Sequence, residues 1–374
     1  MEPKIEIGGQ CSDRFVRLAQ EFRANFENGS ELGAAMALYV DGELVVDMWA
    51  GFLDPDRTLP WQKDALVNVW STTKGVAAAC FALIVDRGFC GYDDPVETYW
   101  PEFAAGEKAD VTIAQLLSHQ AGLSAFASPT TVDDFFKDPR ILASRLARQT
   151  PLWPPGTQSG YHGVTIGFLA AELFRRIEGR RMKLFVDEEF AALDIHIGIE
   201  DEELNRVATI IPPPESDAEA PDMDDLQSVT LGNPFLMPDA ANLPEWRQAE
   251  IPSVNGFASA RGLASLYSSL LTGSPELSLR LSPETLGQAT MIRSSGVDAI
   301  LAVETNWAAG FLRNSLGIYG PNSRAFGHSG WGGSFAFADP DNELAFSYVM
   351  NAMGSELVGD PRTLALLREV YQAL

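Results

Sequence analysis

The sequence has 374 residues, of which 46% are hydrophobic, and its 51 acidic and 27 basic side chains give a net charge of −24. This apolar fraction is typical of a folded globular protein, and the length suggests two subdomains. The charge argues against nucleic acid and anionic membrane surfaces as partners, because both would repel the protein.

Cysteine usage and the chain start indicate the compartment. The chain has three cysteines, Cys11, Cys80 and Cys90, which is an odd number and shows no metal-binding spacing. The sequence therefore predicts no disulfide framework, metal or cofactor. The first residues lack a basic-then-apolar signal pattern, and no stretch approaches the length of a membrane-spanning helix. We therefore expect a soluble, cytoplasmic protein.

Three elements are predicted in the first 90 residues. An amphipathic helix occupies the first 30 residues and ends at Asn28-Gly29. Two apolar, β-leaning runs then meet at Asp41-Gly42, which is a strong hairpin signal. From Ser71 to about Arg87 the pattern is that of a buried helix, stopped by Gly88.

The rest of the chain is helical in the middle and returns to strands near its end. Residues from about 92 to 300 mix helical patterns with Pro/Gly-rich loops, and "NWAAGFL", "GSFAFADP" and "ELAFSYVMN" follow as strands. A closing helix begins with Asp360 as N-cap and Pro361 at its first position.

This order predicts an α/β fold with an antiparallel sheet flanked by helices, plus a mainly helical second domain. We assign residues 1–70 and 300–374 to the α/β domain and residues 71–299 to the helical domain. A cleft between the two would be the natural ligand site.

Ser71 and Lys74 are the first candidates for chemistry. On a helix, residues three apart share a face, and a lysine whose pKa is lowered by burial can take the proton of a serine nucleophile. The helix N-terminus also offers N–H groups to a developing oxyanion. The alternative is an ordinary helix, with Ser71 as N-cap and Lys74 in solvent.

Two further segments carry candidates. Tyr161 stands just before a helix-patterned run, where it is either a packing aromatic or an acid/base group whose pKa a nearby cation lowers. "GHSGWGG" brings Gly327, Gly330, Gly332 and Gly333 before a strand. These glycines either form a tight turn or let the backbone approach a ligand and supply an oxyanion donor.

Together these segments resemble the serine β-lactamase and penicillin-binding-protein superfamily, and most of all the class C β-lactamase-like carboxylesterases of family VIII. The Ser-x-x-Lys motif matches Ser71–Lys74, the tyrosine motif matches 161–163, and the Lys-Thr-Gly strand motif matches 328–330. The resemblance runs from about residue 30 to 350 in the family's order and spacing. The resemblance favours Ser71 as a catalytic nucleophile over Ser71 as the N-cap of an ordinary helix.

The resemblance implies a mechanism. Ser71 would attack the acyl carbon, Lys74 and Tyr161 would share the role of base, and an acyl-serine would then be hydrolysed. The N–H groups of Ser71 and Trp331 would hold the oxyanion. An alternative alignment of residues 331–333 with Lys-Thr-Gly would move the second donor downstream.

Two departures from the family pattern bear on the substrate. Gly163 stands where the family has asparagine, and His328 replaces the strand lysine that would pair with a substrate carboxylate. With Trp331, Gly330 and Gly332, these residues are the predicted substrate contacts. His119 and His162 are weaker candidates, predicted to be structural or to line the cleft.

The sequence therefore predicts a serine carboxylesterase for small or medium acyl esters. The alternatives are a β-lactamase, a D-alanyl peptidase or an acyltransferase, and a catalytically silent relative that binds ligands. A small-molecule ester is the expected partner, and the oligomeric state is open. Specificity is expected to depend on loops 124–150 and 212–250.

Overall fold

The computed structural model describes residues 5–214, 223–273 and 279–374. In these ranges the chain forms twelve strands and eleven α-helices, joined by turns and short 3-10 helices. The strands are β1 Ile7–Cys11, β2 Gly33–Val40, β3 Glu43–Gly51, β4 Val67–Asn68, β5 Ile195–Ile197, β6 Gly256–Ala258, β7 Ser294–Val297, β8 Glu304–Trp307, β9 Leu312–Arg313, β10 Phe326–Ser329, β11 Phe335–Asp339 and β12 Leu344–Met350. The helices are α1 Val16–Glu27, α2 Thr73–Asp86, α3 Ile113–Leu117, α4 Pro139–Arg148, α5 Thr165–Glu178, α6 Met182–Glu189, α7 Asp225–Gly232, α8 Pro244–Gln248, α9 Ala260–Thr272, α10 Pro283–Thr290 and α11 Pro361–Ala373.

Strands from both ends of the chain build one nine-stranded antiparallel sheet. Its order is β1-β3-β2-β12-β11-β10-β9-β8-β7, so the C-terminal strand β12 lies beside β2. The predicted hairpin is confirmed as β2 and β3, because Val40 pairs with Glu43 across Asp41 and Gly42. Both turn residues have a positive φ, as a two-residue turn between twisted strands requires.

Helices cover both faces of this sheet, as two neighbouring residues of β12 show. The Tyr348 ring packs edge-on against Phe22 of α1, and α1 packs on α11. The Ser347 hydroxyl points the other way and donates to the Ala260 carbonyl oxygen at the start of α9. Since successive side chains of a strand alternate between faces, the sheet is buried on both sides.

Helix α2 is apolar on every side and has no solvent face. Its residues from Thr73 to Ile84 are buried, and the helix packs against β10, α5, α6 and α10. It ends at Asp86 with Arg87 as its C-cap, and Gly88 with φ +75° follows, within one residue of the predicted end. This helix therefore carries the residues at its N-terminus into the interior, between the large sheet and the neighbouring helices.

The structure adds elements that the sequence patterns did not predict. Strand β1 precedes α1 within the segment predicted as a single helix, and its backbone pairs with β3. It contains two glycines and no apolar alternation, so pairing with the sheet edge rather than side-chain pattern forms it. "NWAAGFL" is not one strand but the end of β8, a turn and the start of β9.

The large sheet takes its strands from residues 7–51 and 294–350, while residues 52–293 supply α2 to α10 and a small sheet of order β4-β6-β5. Helix α9 belongs to this middle segment but packs on the large sheet. The division into two domains remains a prediction. Within the described residues, none of the helices has both the length and the apolar character needed to cross a bilayer.

Candidate active site

The Ser71 hydroxyl lies in the turn before α2 and contacts both side chains that the sequence pairs with it. Its Oγ is 3.0 Å from the Lys74 Nζ and 2.7 Å from the Tyr161 hydroxyl. Helix α2 begins at Thr73 with Thr72 as its N-cap, so Ser71 does not cap it. The structure thus brings together a hydroxyl, an amine three residues along and a phenol 90 residues further on.

The Lys74 amine is buried, with 4% of the residue exposed, which excludes a solvated lysine. Besides Ser71, its Nζ contacts the carbonyl oxygens of Gly163 at 2.7 Å and Ser253 at 2.9 Å. No carboxylate of the described residues pairs with it, and burial lowers the pKa of Lys74 well below that of an ordinary lysine. A neutral amine fits this site, because two N–H groups donate to the carbonyls and the lone pair accepts the Ser71 O–H.

Tyr161 is held against Ser71 by ring packing. Its ring stacks on Trp307 with centroids 5.7 Å apart and meets the His119 ring edge-on at 5.0 Å. Burial raises the pKa of Tyr161, because a phenolate would lose its hydration there. The lowered pKa considered from the sequence is therefore absent. The phenol stays protonated and donates to the Ser71 Oγ, which also lies 3.0 Å from the Lys74 Nζ.

The glycine-rich loop after β10 has some backbone N–H groups that are used within the protein and others that are available to a ligand. The Gly332 N–H donates to the Glu356 carbonyl oxygen at 3.0 Å, and the Gly333 N–H donates within the loop at 3.3 Å. The N–H groups of Trp331 and Ser71 donate to no described residue. Gly332 and Gly333 are thus already committed, whereas the Ser334 N–H, like that of Trp331, donates to no described residue, so either of these two can be the second oxyanion donor.

Contacts from outside the loop fix the conformation around Trp331. Its ring meets the Trp70 ring edge-on, with centroids 5.3 Å apart. The Arg362 guanidinium at the start of α11 donates to the Gly332 carbonyl oxygen at 2.7 Å, while Asp360 binds the same guanidinium. Gly332 has φ +87°, and an added Cβ would lie 2.7 Å from the Met353 side chain. Glycine is therefore required here.

The five predicted substrate contacts divide into two groups. Trp331 and Gly163 line the cavity that contains Ser71, whereas His328, Gly330 and Gly332 do not. His328 is buried beside Tyr161, its Nδ1 donates to the Ser329 carbonyl oxygen, and its Nε2 has no partner among the described residues. Burial lowers the pKa of His328 to about 3, so it supplies no cation.

Asp298 orders the site but carries no sequence signal that would have marked it. The buried carboxylate accepts the backbone N–H of Tyr161 at 2.9 Å and the indole N–H of Trp307 at 2.9 Å. It also accepts the N–H groups of Ile300 and Leu301. Asp298 thus holds both the backbone of Tyr161 and the Trp307 ring on which the Tyr161 ring stacks.

His162 and His119 hold the neighbouring loops together. His162 is fully buried, accepts the Leu123 N–H at 2.8 Å on Nε2 and donates from Nδ1 to the Gly160 carbonyl oxygen. The His119 Nδ1 accepts the His162 N–H at 3.2 Å. Burial lowers the pKa of both imidazoles, that of His162 to about 4. His162 therefore does not line the cleft. The His119 ring packs against Tyr161, and the His162 ring packs against His119.

An apolar cavity of about 320 Å³ opens beside Ser71. Its described lining contains no charged side chain and comes largely from residues 124–126, 230–236 and 300–301, with Trp70, Trp331 and Leu357. The first two groups lie in the loops expected to set specificity, although residues 215–222 of the second loop fall outside the described residues. A carboxylate would find no cationic partner here.

Comparisons with known proteins agree with this geometry. The family model described as Beta-lactamase matches residues 18–369. The chain is 34% identical over 368 residues to Esterase/beta-lactamase LipL of Mycobacterium tuberculosis, which covers 94% of this chain and 84% of that protein.

Two crystal structures are similar over nearly the whole chain. A family VIII carboxylesterase is 39% identical and a penicillin-binding protein homolog from Caulobacter crescentus is 43% identical. Each superposes with a TM-score of 0.93 over 99% of this chain and 100% of the other. The antiparallel sheet flanked by helices is thus shared with an esterase and with a penicillin-binding protein homolog.

Proposed function

The chain belongs to the beta-lactamase family and is a serine hydrolase with esterase homologues, and from this premise we propose that it is a carboxylesterase cleaving neutral esters of small or medium acyl chains. One observation carries the proposal: the Ser71 hydroxyl lies between a buried amine and a protonated phenol. Such an arrangement activates a serine that is otherwise a poor nucleophile.

In the acylation step, Lys74 takes the Ser71 proton while the Oγ bonds to the ester carbonyl carbon. The N–H groups of Ser71 and Trp331 stabilise the oxyanion that develops. Tyr161 donates its proton to the leaving alcohol oxygen as the ester C–O bond breaks, and the proton on Lys74 then restores the phenol. The products are an alcohol and acyl-Ser71.

In the deacylation step, water attacks the acyl carbon. The neutral Lys74 amine accepts a proton from this water, the same two donors hold the oxyanion, and that proton returns to the Ser71 oxygen as the acid leaves. The net result is one proton transferred in each step, from Ser71 to the alcohol in acylation and from water to Ser71 in deacylation. The mechanism therefore predicts two-step kinetics with an acyl-enzyme.

The cavity favours neutral esters over β-lactams and peptides. A substrate carboxylate is best bound by a fixed cation, but the described cavity lining has none and His328 is neutral. Acid release from p-nitrophenyl butyrate should therefore exceed nitrocefin turnover. The reverse order would favour a β-lactamase. Formation of a second ester on addition of an acceptor alcohol would favour an acyltransferase.

The Ser71→Ala variant tests the proposal directly. We expect ester hydrolysis to fall by about three orders of magnitude or more, since the nucleophile is lost while the fold is kept. Circular dichroism of both proteins provides the control for folding. Mass spectrometry after treatment with a fluorophosphonate should find one adduct on Ser71, and its absence would favour a silent, ligand-binding relative.

A further inference from the structure

An unusual apolar rim borders the mouth of the catalytic cavity. Phe235 lines the cavity and is nevertheless 67% exposed, and Leu231 and Leu357 line it with 42% and 46% of their surface exposed. Helix α7, which ends beside Phe235, buries none of its residues. Large apolar side chains grouped in this way around a cavity mark a binding surface more often than scattered single exposures do.

Polar contacts hold this rim in place. The Thr230 hydroxyl bonds to the Ser124 hydroxyl at 2.7 Å, and the Gln227 amide donates to the Ile300 carbonyl oxygen at 3.0 Å. The Asn233 amide donates to the Phe126 carbonyl oxygen at 2.7 Å. These bonds join α7 and the residues after it to the other walls of the cavity. The segment is therefore anchored while its apolar side chains remain uncovered.

The continuity of the rim with the cavity identifies its occupant. Leu231, Phe235 and Leu357 line the same cavity as Ser71, so an apolar chain that extends outward from a bound ester can lie against them. Neither the cavity lining nor these three residues offers a charge. We propose that Leu231, Phe235 and Leu357 form a distal apolar subsite that binds the far end of an ester's apolar chain and makes medium chains better substrates than short ones. This inference rests on the proposed esterase function.

The test is a chain-length series with a matched control. For p-nitrophenyl esters from acetate to decanoate, kept below their critical micelle concentrations, wild-type kcat/KM should rise by about twofold to fourfold per methylene until the rim is passed. Phe235→Ser should lose activity increasingly with length, by about tenfold at octanoate. Leu316→Ser is the control, because Leu316 is 69% exposed but does not line the cavity.

A second series shows whether the apolar chain that binds the subsite belongs to the acyl group or to the alcohol of the ester. Alkyl butyrates of increasing alcohol length are compared in the same three proteins. Flattening of the acyl series by Phe235→Ser assigns the subsite to the acyl chain, and flattening of the alkyl series assigns it to the alcohol. Either result supports the subsite.

Three outcomes would overturn the subsite. The first is no effect of Phe235→Ser on either series. The second is an equal loss at every length, which indicates a structural role. The third is a wild-type dimer in sedimentation experiments that Phe235→Ser dissociates without changing the series, which would make the rim a contact between copies. If Ser71→Ala cleaves every ester as fast as the wild type, or if the wild type cleaves none, the proposed esterase function itself fails. If the wild type cleaves the acetate ester but its activity does not change with chain length, only the subsite is refuted.

Discussion

Replacing Lys74 with methionine should remove both the catalytic base and a pH-dependent part of the stability. Methionine approximates the length of the lysine side chain but accepts no proton. The Ser71 hydroxyl would keep its hydrogen bond to Tyr161 but would have no base to take its proton. Loss of a positioned general base lowers kcat by about 10²–10⁴. Lys74→Arg should lose as much, because a guanidinium stays protonated. Wild-type kcat/KM should fall as the pH is lowered through the native pKa of Lys74.

The sign of the stability effect follows from the lowered pKa of Lys74. Between the native pKa and the ordinary lysine value of 10.5, the unfolded chain carries a proton on Lys74 that the native protein lacks. In that window the free energy of unfolding therefore rises with pH, by about 1.4 kcal/mol per pH unit for one proton. The Lys74→Met variant lacks this contribution, so the difference between the two proteins grows with pH at the same rate.

Urea unfolding of both proteins at pH 7.5, 8.5 and 9.5 measures this difference. Lys63→Met is the matched control, because Lys63 is exposed and lies outside the site. A difference between wild type and Lys74→Met that stays constant over this range would show that the native amine is charged. The hydrogen-bonding scheme in which Lys74 accepts the Ser71 proton would then be wrong.

Three further substitutions probe the groups around Ser71. Tyr161→Phe keeps the stacked ring but removes the proton donor of the leaving group, so kcat should fall by about 10²–10⁴ in ester hydrolysis assays. Asp298→Asn places an NH2 group against N–H donors, so thermal or urea unfolding should show a loss of about 2–4 kcal/mol, with lower kcat because the backbone of Tyr161 is released. Gly332→Ala adds a Cβ at φ +87° and 2.7 Å from Met353, so the oxyanion loop should shift and kcat should fall at least about tenfold.

Each of these substitutions has a result that would contradict its reasoning. Tyr161→Phe with wild-type kcat on an ester with a poor alkoxide leaving group would exclude the phenol as proton donor. An Asp298→Asn protein as stable as wild type would mean that its bonds are replaced by water. An unchanged kcat in Gly332→Ala would show that the conformation of this loop does not affect oxyanion binding. Gly287→Ala is the control for glycine replacement, because a Cβ added at Gly287 meets nothing within 4 Å.

Local patterns in the sequence were sufficient to predict several turns and helix ends. The Asp41-Gly42 turn has the two positive φ values that its residue types favour, and α11 begins with Asp360 capping and Pro361 at its first position, as predicted. The i, i+3 spacing already placed Lys74 beside Ser71, because backbone geometry within one helical turn depends on only a few residues. These features are local, and local sequence specifies them.

The chemical state of the site depends on residues far apart in the chain. Lys74 is surrounded by carbonyl oxygens 89 and 179 residues away, and the carboxylate that orders Tyr161 comes from Asp298. Burial, which no periodicity measures, sets the direction of the pKa shifts of Lys74, Tyr161 and His328. The residue types and their spacing thus supplied a candidate nucleophile and its base, whereas folding decided their protonation states and the uncharged cavity beside them, because desolvation and long-range hydrogen bonds exist only once distant segments are packed together.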